Sequence, residues 1–222
     1  MGTLTARKVL DGAWIKATDE GHERWGEAEG LRWLNDGQRA IVVAVRTAYT
    51  ASALRPLQPS KTRQTLAGLG LPTALSVIGV HGYGKNGALY RAVTTRDKRL
   101  FDERDPYWRT RVGNEVEEVM LDPDEPTVLY VHPAVLSGDI ELTYSLLPPE
   151  VSSINNPITL GDEWAGALEA FVLASFFAKD ATFSQGPTKQ AAYLALFGQY
   201  VGAVKGAELA AGAGANAKGG AA

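Results

Sequence analysis

The chain has 222 residues, of which 45% are hydrophobic and 21% are charged, and its formal net charge is −3 at pH 7. This length fits one domain, or one domain with a sizeable insertion, and it can bury a core without covalent cross-links. The absence of Cys excludes disulfides, thiolate catalysis and Cys-based zinc sites. The basic residues are intermixed with acidic ones, whereas a general DNA-binding protein carries clustered Lys and Arg.

The N-terminal part of the chain predicts two helices. Apolar residues recur at helical spacing over residues 4–17 and again over residues 27–47. Gly37 interrupts the second helix at a cost of about 1 kcal/mol relative to Ala, which predicts close packing at that position. The first residues show no apolar stretch of signal-peptide length, and no apolar run could span a bilayer. We therefore expect a soluble protein that works in a cytoplasm, without a membrane partner.

Residues 48–158 have the composition of a β-rich module. Prolines and glycines separate short apolar runs, which predict strands over residues 74–80, 88–94, 116–121, 127–132 and 140–146. The last two runs flank Ser137-Gly138-Asp139, which predicts a hairpin. A short charged helix is predicted over residues 95–104, ended by Pro106. His132 precedes Pro133 at a strand end, and we expect its side chain to be half-exposed.

Helical spacing returns after Pro157. Asp162 and Glu163 mark a helix start, because the helix dipole favours acidic residues there, and a last helix is predicted over residues 188–205. Residues 206–222 are mainly Ala and Gly with little to bury, so we expect a flexible tail that could become ordered on a partner.

These elements predict an α+β fold. Residues 1–47 and 159–205 form a discontinuous helical bundle, residues 48–158 form an inserted β-rich module, and residues 206–222 form the flexible tail.

One stretch matches the GxxxxGK pattern of phosphate-binding loops: Gly79-Val80-His81-Gly82-Tyr83-Gly84-Lys85-Asn86. Such a loop needs Ser or Thr after the Lys, followed by a helix whose N-terminus faces the phosphates. Asn86 stands at that position instead, and Asn86-Gly87 predicts a hairpin turn. We therefore interpret the glycines as a loop between two strands.

The remaining polar residues predict no catalytic, cofactor or metal site. The three histidines, His22, His81 and His132, lack metal-binding spacing, and no GxSxG elbow occurs. The acidic residues 122–125 predict a solvated turn, since a calcium loop needs six or more well-placed oxygens. A pair of carboxylates for glycoside hydrolysis stays open, because its separation is visible only in three dimensions.

An aromatic and basic cluster is formed by Tyr107, Trp108, Arg109 and Arg111. It could stack bases or brace phosphates. It could equally anchor a protein interface, where Trp, Tyr and Arg are enriched. In a third interpretation, it is a loop whose Trp108 packs into its own core.

Seven stretches, none of them a catalytic signature, carry a resemblance to a known family. They are Thr5–Leu10, Leu31–Val42, Thr62–Leu66, Val128–Pro133, Tyr144–Pro149, Ile158–Trp164 and Ala178–Ala181. From about Leu4 to Val201, the chain resembles the head-to-tail adaptor (connector) proteins of short-tailed and related phages, in the group that includes the portal-binding tail tubular protein.

The resemblance implies a structural virion protein rather than an enzyme. Its expected form is a ring of about twelve copies at the portal–tail junction, assembled in the host cytoplasm. The expected partners are the portal protein and a downstream tail or nozzle protein, while DNA passes through without specific binding. In such adaptors the C-terminal segment clasps the portal and the inserted module faces the next tail component. The corresponding portal contacts here are Gln199, Tyr200, Lys205, Glu208 and Lys218.

Two other functions stay open at this point. One is a carboxylate-dependent hydrolase of glycans or cell wall, with its site in the β-rich module. The other is a nucleic-acid-binding module that uses Trp108 and the neighbouring arginines, with an affinity that falls steeply with salt.

Overall fold

The structure, a computed structural model, describes residues 2–179 and 185–218. Its elements, in chain order, are α1 (Ala6–Ala17), α2 (Glu27–Ala44), β1 (Thr50–Pro56), β2 (Arg63–Thr65), β3 (Ala74–Lys85), β4 (Ala88–Ala92), β5 (Thr94–Asp97), α3 (Lys98–Arg104), β6 (Val112–Gly113), β7 (Glu118–Leu121), β8 (Val128–His132), β9 (Ala134–Val135), β10 (Asp139–Leu146), α4 (Ala165–Lys179) and α5 (Gly186–Lys218). Three short 3₁₀ turns are added at Arg46–Ala48, Trp108–Thr110 and Asp162–Trp164.

The chain divides into two compact units. The helical unit comprises Met1–Ala48 and Pro148–Ala222, and the β unit comprises Tyr49–Leu147. Helices build the first and strands dominate the second, so the α+β class predicted from the sequence is confirmed.

The core of the helical unit lies where α1 and α2 pack against α4. α4 is apolar on most of its surface, as expected for a helix with neighbours on several sides. A Cβ atom on Gly37 would lie 3.1 Å from the Phe171 ring, so the prediction of close packing at Gly37 is confirmed. Gly30 has the same role against Trp14, also at 3.1 Å.

The connection between α1 and α2 is fixed by buried polar contacts. The Asp19 carboxylate accepts hydrogen bonds from the backbone N–H groups of Glu23, Arg24 and Trp25. The indole N–H of Trp14 donates to the Trp25 carbonyl at 2.8 Å, and that of Trp25 donates to the Phe176 carbonyl at 3.1 Å. The two buried tryptophans therefore pack without leaving a polar group unpaired.

Buried amides of α2 hold the chain where it returns to the helical unit. The Asn35 side chain donates to the Val151 carbonyl at 3.0 Å and accepts from the Val151 N–H at 2.9 Å. The side-chain oxygen of Gln38, Oε1, accepts hydrogen bonds from the backbone N–H groups of Thr159 and Leu160. These contacts set the path of the irregular segment that leads to α4.

The β unit contains two four-stranded sheets and one two-stranded ribbon. The strand orders are β1-β10-β3-β4 and β2-β8-β7-β5, with β6 paired to β9. The β5–β7 and β6–β9 pairs are parallel, and the other pairs are antiparallel. One core cluster combines residues of both four-stranded sheets: Val80, Tyr83, Ile140 and Leu142 from the first, and Val119, Leu129 and Val131 from the second.

The predicted hairpin around Ser137-Gly138-Asp139 is wrong. β8 lies between β2 and β7, while β10 lies between β1 and β3 in the other sheet. All five residues of β8 are buried and both of its edges are paired, so no edge is left for β10. Between them, β9 pairs with β6, and the chain passes from one sheet to the other.

The GxxxxGK stretch lies inside strand β3 rather than in a loop. The predicted turn at Asn86-Gly87 is confirmed, with positive φ angles of 57° and 78°, and β4 follows it. A Cβ atom on Gly84 would lie 2.2 Å from the Ala88 carbonyl oxygen, which explains glycine there by the close approach of β4. Because a strand follows the Lys, the stretch does not form a phosphate-binding loop.

Helix α5 is longer than the sequence predicts. It begins at Gly186 and continues to Lys218, so the disorder expected from Gly206 is not seen over the described residues. The reason is composition, since Ala has the highest helix propensity and outnumbers the glycines after Lys205. Residues 219–222 of the predicted tail, and residues 180 and 181 of the last resembling stretch, lie outside the described residues.

Candidate assembly interfaces

The described residues show no arrangement suited to a metal ion. Within residues 2–179 and 185–218, no group of three or more His, Asp or Glu side chains is placed to hold one. In the acidic turn, Asp122 pairs with Lys98 at 3.3 Å and Glu125 pairs with Arg63 at 2.8 Å. The Tyr130 hydroxyl and Arg63 hold the pKa of Glu125 below its usual value.

One finding bears on the hydrolase alternative. A cleft of about 390 Å³ beside His81 and Arg91 in the β unit holds a single carboxylate, Glu141, whereas glycoside hydrolysis uses two. No helix in the described part of the chain is long and apolar enough to cross a membrane.

The aromatic and basic cluster separates into a buried and an exposed part. Trp108 is fully buried, edge-on to Phe101 and Tyr130, and its indole N–H donates to Asp102 at 2.8 Å. The third interpretation, in which Trp108 packs into its own core, therefore describes it. Tyr107 is 76% exposed and stays a candidate interface anchor.

The arginines of this cluster are already paired within the chain. Arg109 lies over the Trp108 ring at 4.8 Å and binds Asp102 at 2.9 Å. Arg111 binds Asp105 at 2.7 Å. Although burial opposes it, hydrogen bonds from Trp108 and from Lys98 hold the pKa of Asp102 below its usual value.

This pairing extends over residues 96–111, which we call the basic segment of the β unit. Each of its six basic residues has a carboxylate within 4 Å: Arg96, Lys98, Arg99, Arg104, Arg109 and Arg111. Phosphate binding here would have to compete with these existing ion pairs, which argues against the nucleic-acid alternative.

The candidate portal contacts lie along a single helix, α5. Gln199, Tyr200 and Lys205 are exposed, while Glu208 and Lys218 lie on its C-terminal continuation. From Gln199 to Lys218 the helix extends about 29 Å at the usual rise of 1.5 Å per residue.

α5 runs antiparallel to α4 and extends beyond its N-terminal end. Phe177 stacks on Tyr193 and Phe171 meets Phe197 edge-on. Further along, Tyr200 lies against Gly166, one residue from the start of α4. Val204 is the last half-buried residue with a described environment, and residues 205–207 are exposed. The C-terminal part of α5 therefore continues past the helix that supports it.

The outward face of α5 is unusual for an exposed helix. No charged residue occurs between Lys189 and Lys205, and small residues dominate the exposed positions. Gly198, Gly202 and Gly206 follow at four-residue spacing, and a Cβ atom at any of them would meet nothing within 4 Å. Each Gly costs the helix about 1 kcal/mol relative to Ala, without a packing gain inside the chain.

The sequence did not reveal this face or the environment of His132. The sequence predicts a half-exposed His132, but this prediction is wrong because the residue is 7% exposed. Neither of its ring nitrogens has a hydrogen-bond partner among the described residues. Its place at the end of a strand suggested exposure, but β8 is covered by α3 and the turn that follows it. The glycine spacing 198-202-206 was visible in the sequence as a possible signal for close helix contact.

Comparison with known proteins points to a family of structural adaptors. No curated protein matches the chain. The family model described as SU10 adaptor protein matches residues 5–218, which spans all helices and strands of both units. The resemblance stated from the sequence is thereby confirmed, and the chain belongs to the SU10 adaptor protein family, a family of phage head–tail adaptors.

Proposed function

We propose that this phage structural adaptor forms a ring that joins the portal to the tail and lines part of the DNA channel. The proposal is carried by the observation that α5 continues past α4. Between Lys189 and Lys205 it presents an uncharged face, and its glycines there have no neighbouring atom where a Cβ would lie. In this proposal α5 clasps the portal, and Gln199, Tyr200, Lys205, Glu208 and Lys218 lie at or near that contact.

The surface of α5 favours contact with another protein. Exposed helix positions normally carry charged or long polar residues, and an uncharged face suits contact with another protein. Glycines at four-residue spacing let a second backbone approach closely, which increases van der Waals contact. Leu194, exposed over nearly half of its surface, lies four residues before Gly198 on the same face and supplies apolar area there.

The β unit supplies a surface for the next tail component. Besides Tyr107, it exposes Leu100, Val112 and Leu136 over more than 60% of their surfaces. Exposed aromatic and aliphatic residues of this kind are the usual anchors of protein interfaces. We propose that a downstream tail or nozzle protein binds here, next to the paired Arg109 and Arg111.

The charges suit a channel through which DNA slides. The chain is mildly acidic overall, and each basic residue of the basic segment pairs with a carboxylate of the β unit. A ring of about twelve copies, matched to the portal, needs heterologous contacts that close by rotation. Electrostatic attraction to phosphate would slow passage of the genome, and no unpaired basic cluster is found in the described basic segment.

The test is binding to the purified cognate portal ring, read by negative-stain imaging and native mass spectrometry. The full chain is compared with a truncation after Lys205 and with the double variant Gly198→Leu/Gly202→Leu, which fills the open face. The variant Ala28→Leu adds the same side chain to an exposed position of α2 and serves as the matched control. We expect the full chain and the control to decorate one end of the portal, and the truncation and the double variant to fail. Portal binding that is equal in all four proteins would refute the role of α5.

A further inference from the structure

His132 occupies an environment that favours its neutral form over the charged one. It lies at the end of β8, 7% exposed, with its ring centroid 4.9 Å from that of Phe101 and 6.3 Å from that of Trp108. Neither ring nitrogen has a hydrogen-bond partner among the described residues. A buried imidazole normally has at least one partner, so this exception calls for an explanation.

The charged groups around His132 come from four segments. On β7, the Glu118 carboxylate lies 3.9 Å from Nδ1, but it already pairs with Arg96 at 3.1 Å and Arg104 at 3.3 Å. The remaining charged neighbours are Glu117 before β7, Asp105 after α3 and Arg111 after the 3₁₀ turn. Burial lowers the pKa of His132 below its usual 6.5, and the shared Glu118 carboxylate opposes this only in part.

We propose that His132 is an acid-sensitive latch whose protonation releases α3 and the turn Trp108–Thr110 from the sheet β2-β8-β7-β5. The released part, which we call the α3 segment, comprises residues 98–111. This device goes beyond the adaptor role and does not depend on which partner α5 binds.

When His132 is protonated, the α3 segment can move more easily than β8. An imidazolium donates from both nitrogens, and no described acceptor lies within hydrogen-bond distance of either in the closed arrangement, since the Glu118 carboxylate is 3.9 Å from Nδ1 and pairs with Arg96 and Arg104. β8 is hydrogen-bonded along both edges and cannot move without breaking the sheet. The α3 segment covers the imidazole through Phe101 and Trp108 and is held by side-chain contacts and ion pairs. Its backbone bond to β9 lies at its last residue, where the Arg111 carbonyl accepts from the Ala134 N–H. Water therefore reaches the charged ring when the α3 segment lifts.

The ion pairs of the α3 segment survive at the pH where His132 titrates. The pKa of Asp102 and that of Asp122 both lie below their usual value of 3.8, so these carboxylates stay charged in mild acid. His132 has the lower proton affinity in the closed state and the ordinary one in the open state. The closed state is thus favoured above pH 6.5 and loses stability as the pH falls below it. One proton per opening event gives a limit of about tenfold in the opening equilibrium per pH unit.

Hydrogen exchange of the full-length protein at pH 7.5 and pH 5.5, corrected for the intrinsic pH dependence of exchange, tests the latch. We expect residues 98–111 to lose protection by about five- to tenfold at the lower pH, where tenfold is the limit for one proton and an open-state pKa of 6.5. β8 and β10 should keep theirs. In His132→Phe, whose apolar ring suits the same aromatic surroundings, the pH effect should disappear. The matched control His81→Gln removes an exposed histidine of β3 and should leave the effect unchanged.

A titration of the His132 ring by NMR in the unmodified protein keeps the test decisive if His132→Phe does not fold. A His132 pKa below 6.5, with the α3-segment amide signals shifting at the same midpoint, supports the latch. A ring that titrates at 6.5 or above, or an α3 segment whose protection is independent of pH, overturns it. The same holds if the pH effect persists in His132→Phe.

Discussion

Removing the Asn35 side chain should lower the free energy of unfolding of the helical unit, because two backbone groups of Val151 lose their hydrogen-bond partner. Asn35 is 8% exposed and pairs with both the N–H and the C=O of Val151. In Asn35→Ala both backbone groups lose their partner, and each unpaired buried group costs about 1–3 kcal/mol. Asn35 and Val151 also line a cleft of about 520 Å³, so water can reach part of the vacated space. The lower half of the range therefore applies to each of the two groups, giving about 2–4 kcal/mol in total.

The assay is urea unfolding followed by far-UV circular dichroism, which reports mainly on the helices. With a slope of about 2 kcal/mol per molar urea, the midpoint should fall by about 1–2 M while the slope stays constant. The neighbouring variant Asp36→Ala removes only an exposed ion pair to Arg39 at 3.6 Å and should cost less than about 1 kcal/mol. If Asn35→Ala shifts the midpoint no more than Asp36→Ala does, the buried amide is not what holds the segment around Val151 to α2.

Further predictions concern the buried Trp108 indole, the glycines of the helical unit and the Asp162 carboxylate. Trp108→Ala should destabilise the β unit by about 3–5 kcal/mol, whereas Tyr107→Ala should change stability by less than about 0.5 kcal/mol, as measured by thermal unfolding. Gly202→Ala should stabilise the isolated protein by up to about 1 kcal/mol, because its Cβ meets nothing within 4 Å. Gly37→Ala should instead destabilise it by about 1 kcal/mol, because its Cβ would lie 3.1 Å from the Phe171 ring; equal effects of the two glycine variants would contradict the packing argument. Hydrogen bonds from the Leu4 N–H and from Thr3 lower the pKa of Asp162, so its contribution is present above pH 3.8 and lost in stronger acid; Asp162→Asn should flatten the acid limb of the stability–pH curve.

The helices were the most predictable part of the fold. The helical spacing of apolar residues predicted the bounds of α1 and α2 to within a few residues, because one face of each helix is buried and the other is exposed to solvent. Strand partners could not be predicted in the same way. β8 and β10 have similar apolar patterns and a turn-like sequence between them, yet they belong to different sheets. Periodicity reports which face of a strand is buried, but pairing depends on edges that only the assembled sheet defines.

The candidate interfaces were predictable only in outline. Tyr107 and Trp108 are adjacent and have similar interface preference, but one is exposed and the other is in the core. The choice is made by Asp102, which accepts the indole N–H, and by Phe101, which packs beside the indole ring. Those neighbours come from α3, and their arrangement around Trp108 is a tertiary property that the local sequence does not contain.

The glycines of the helical unit connect its stability to its function. Gly37 and Gly166 have a neighbouring aromatic side chain close to the position of their missing Cβ, so packing within the chain offsets their helix cost. Gly198, Gly202 and Gly206 have no such neighbour, and their cost is not offset by any described contact. Natural sequences depart from local rules mainly at functional sites, where the gain is realised elsewhere. For a member of a phage adaptor family, that gain is expected in the assembled particle, so the variants that most stabilise isolated α5 should be those that most weaken its assembly.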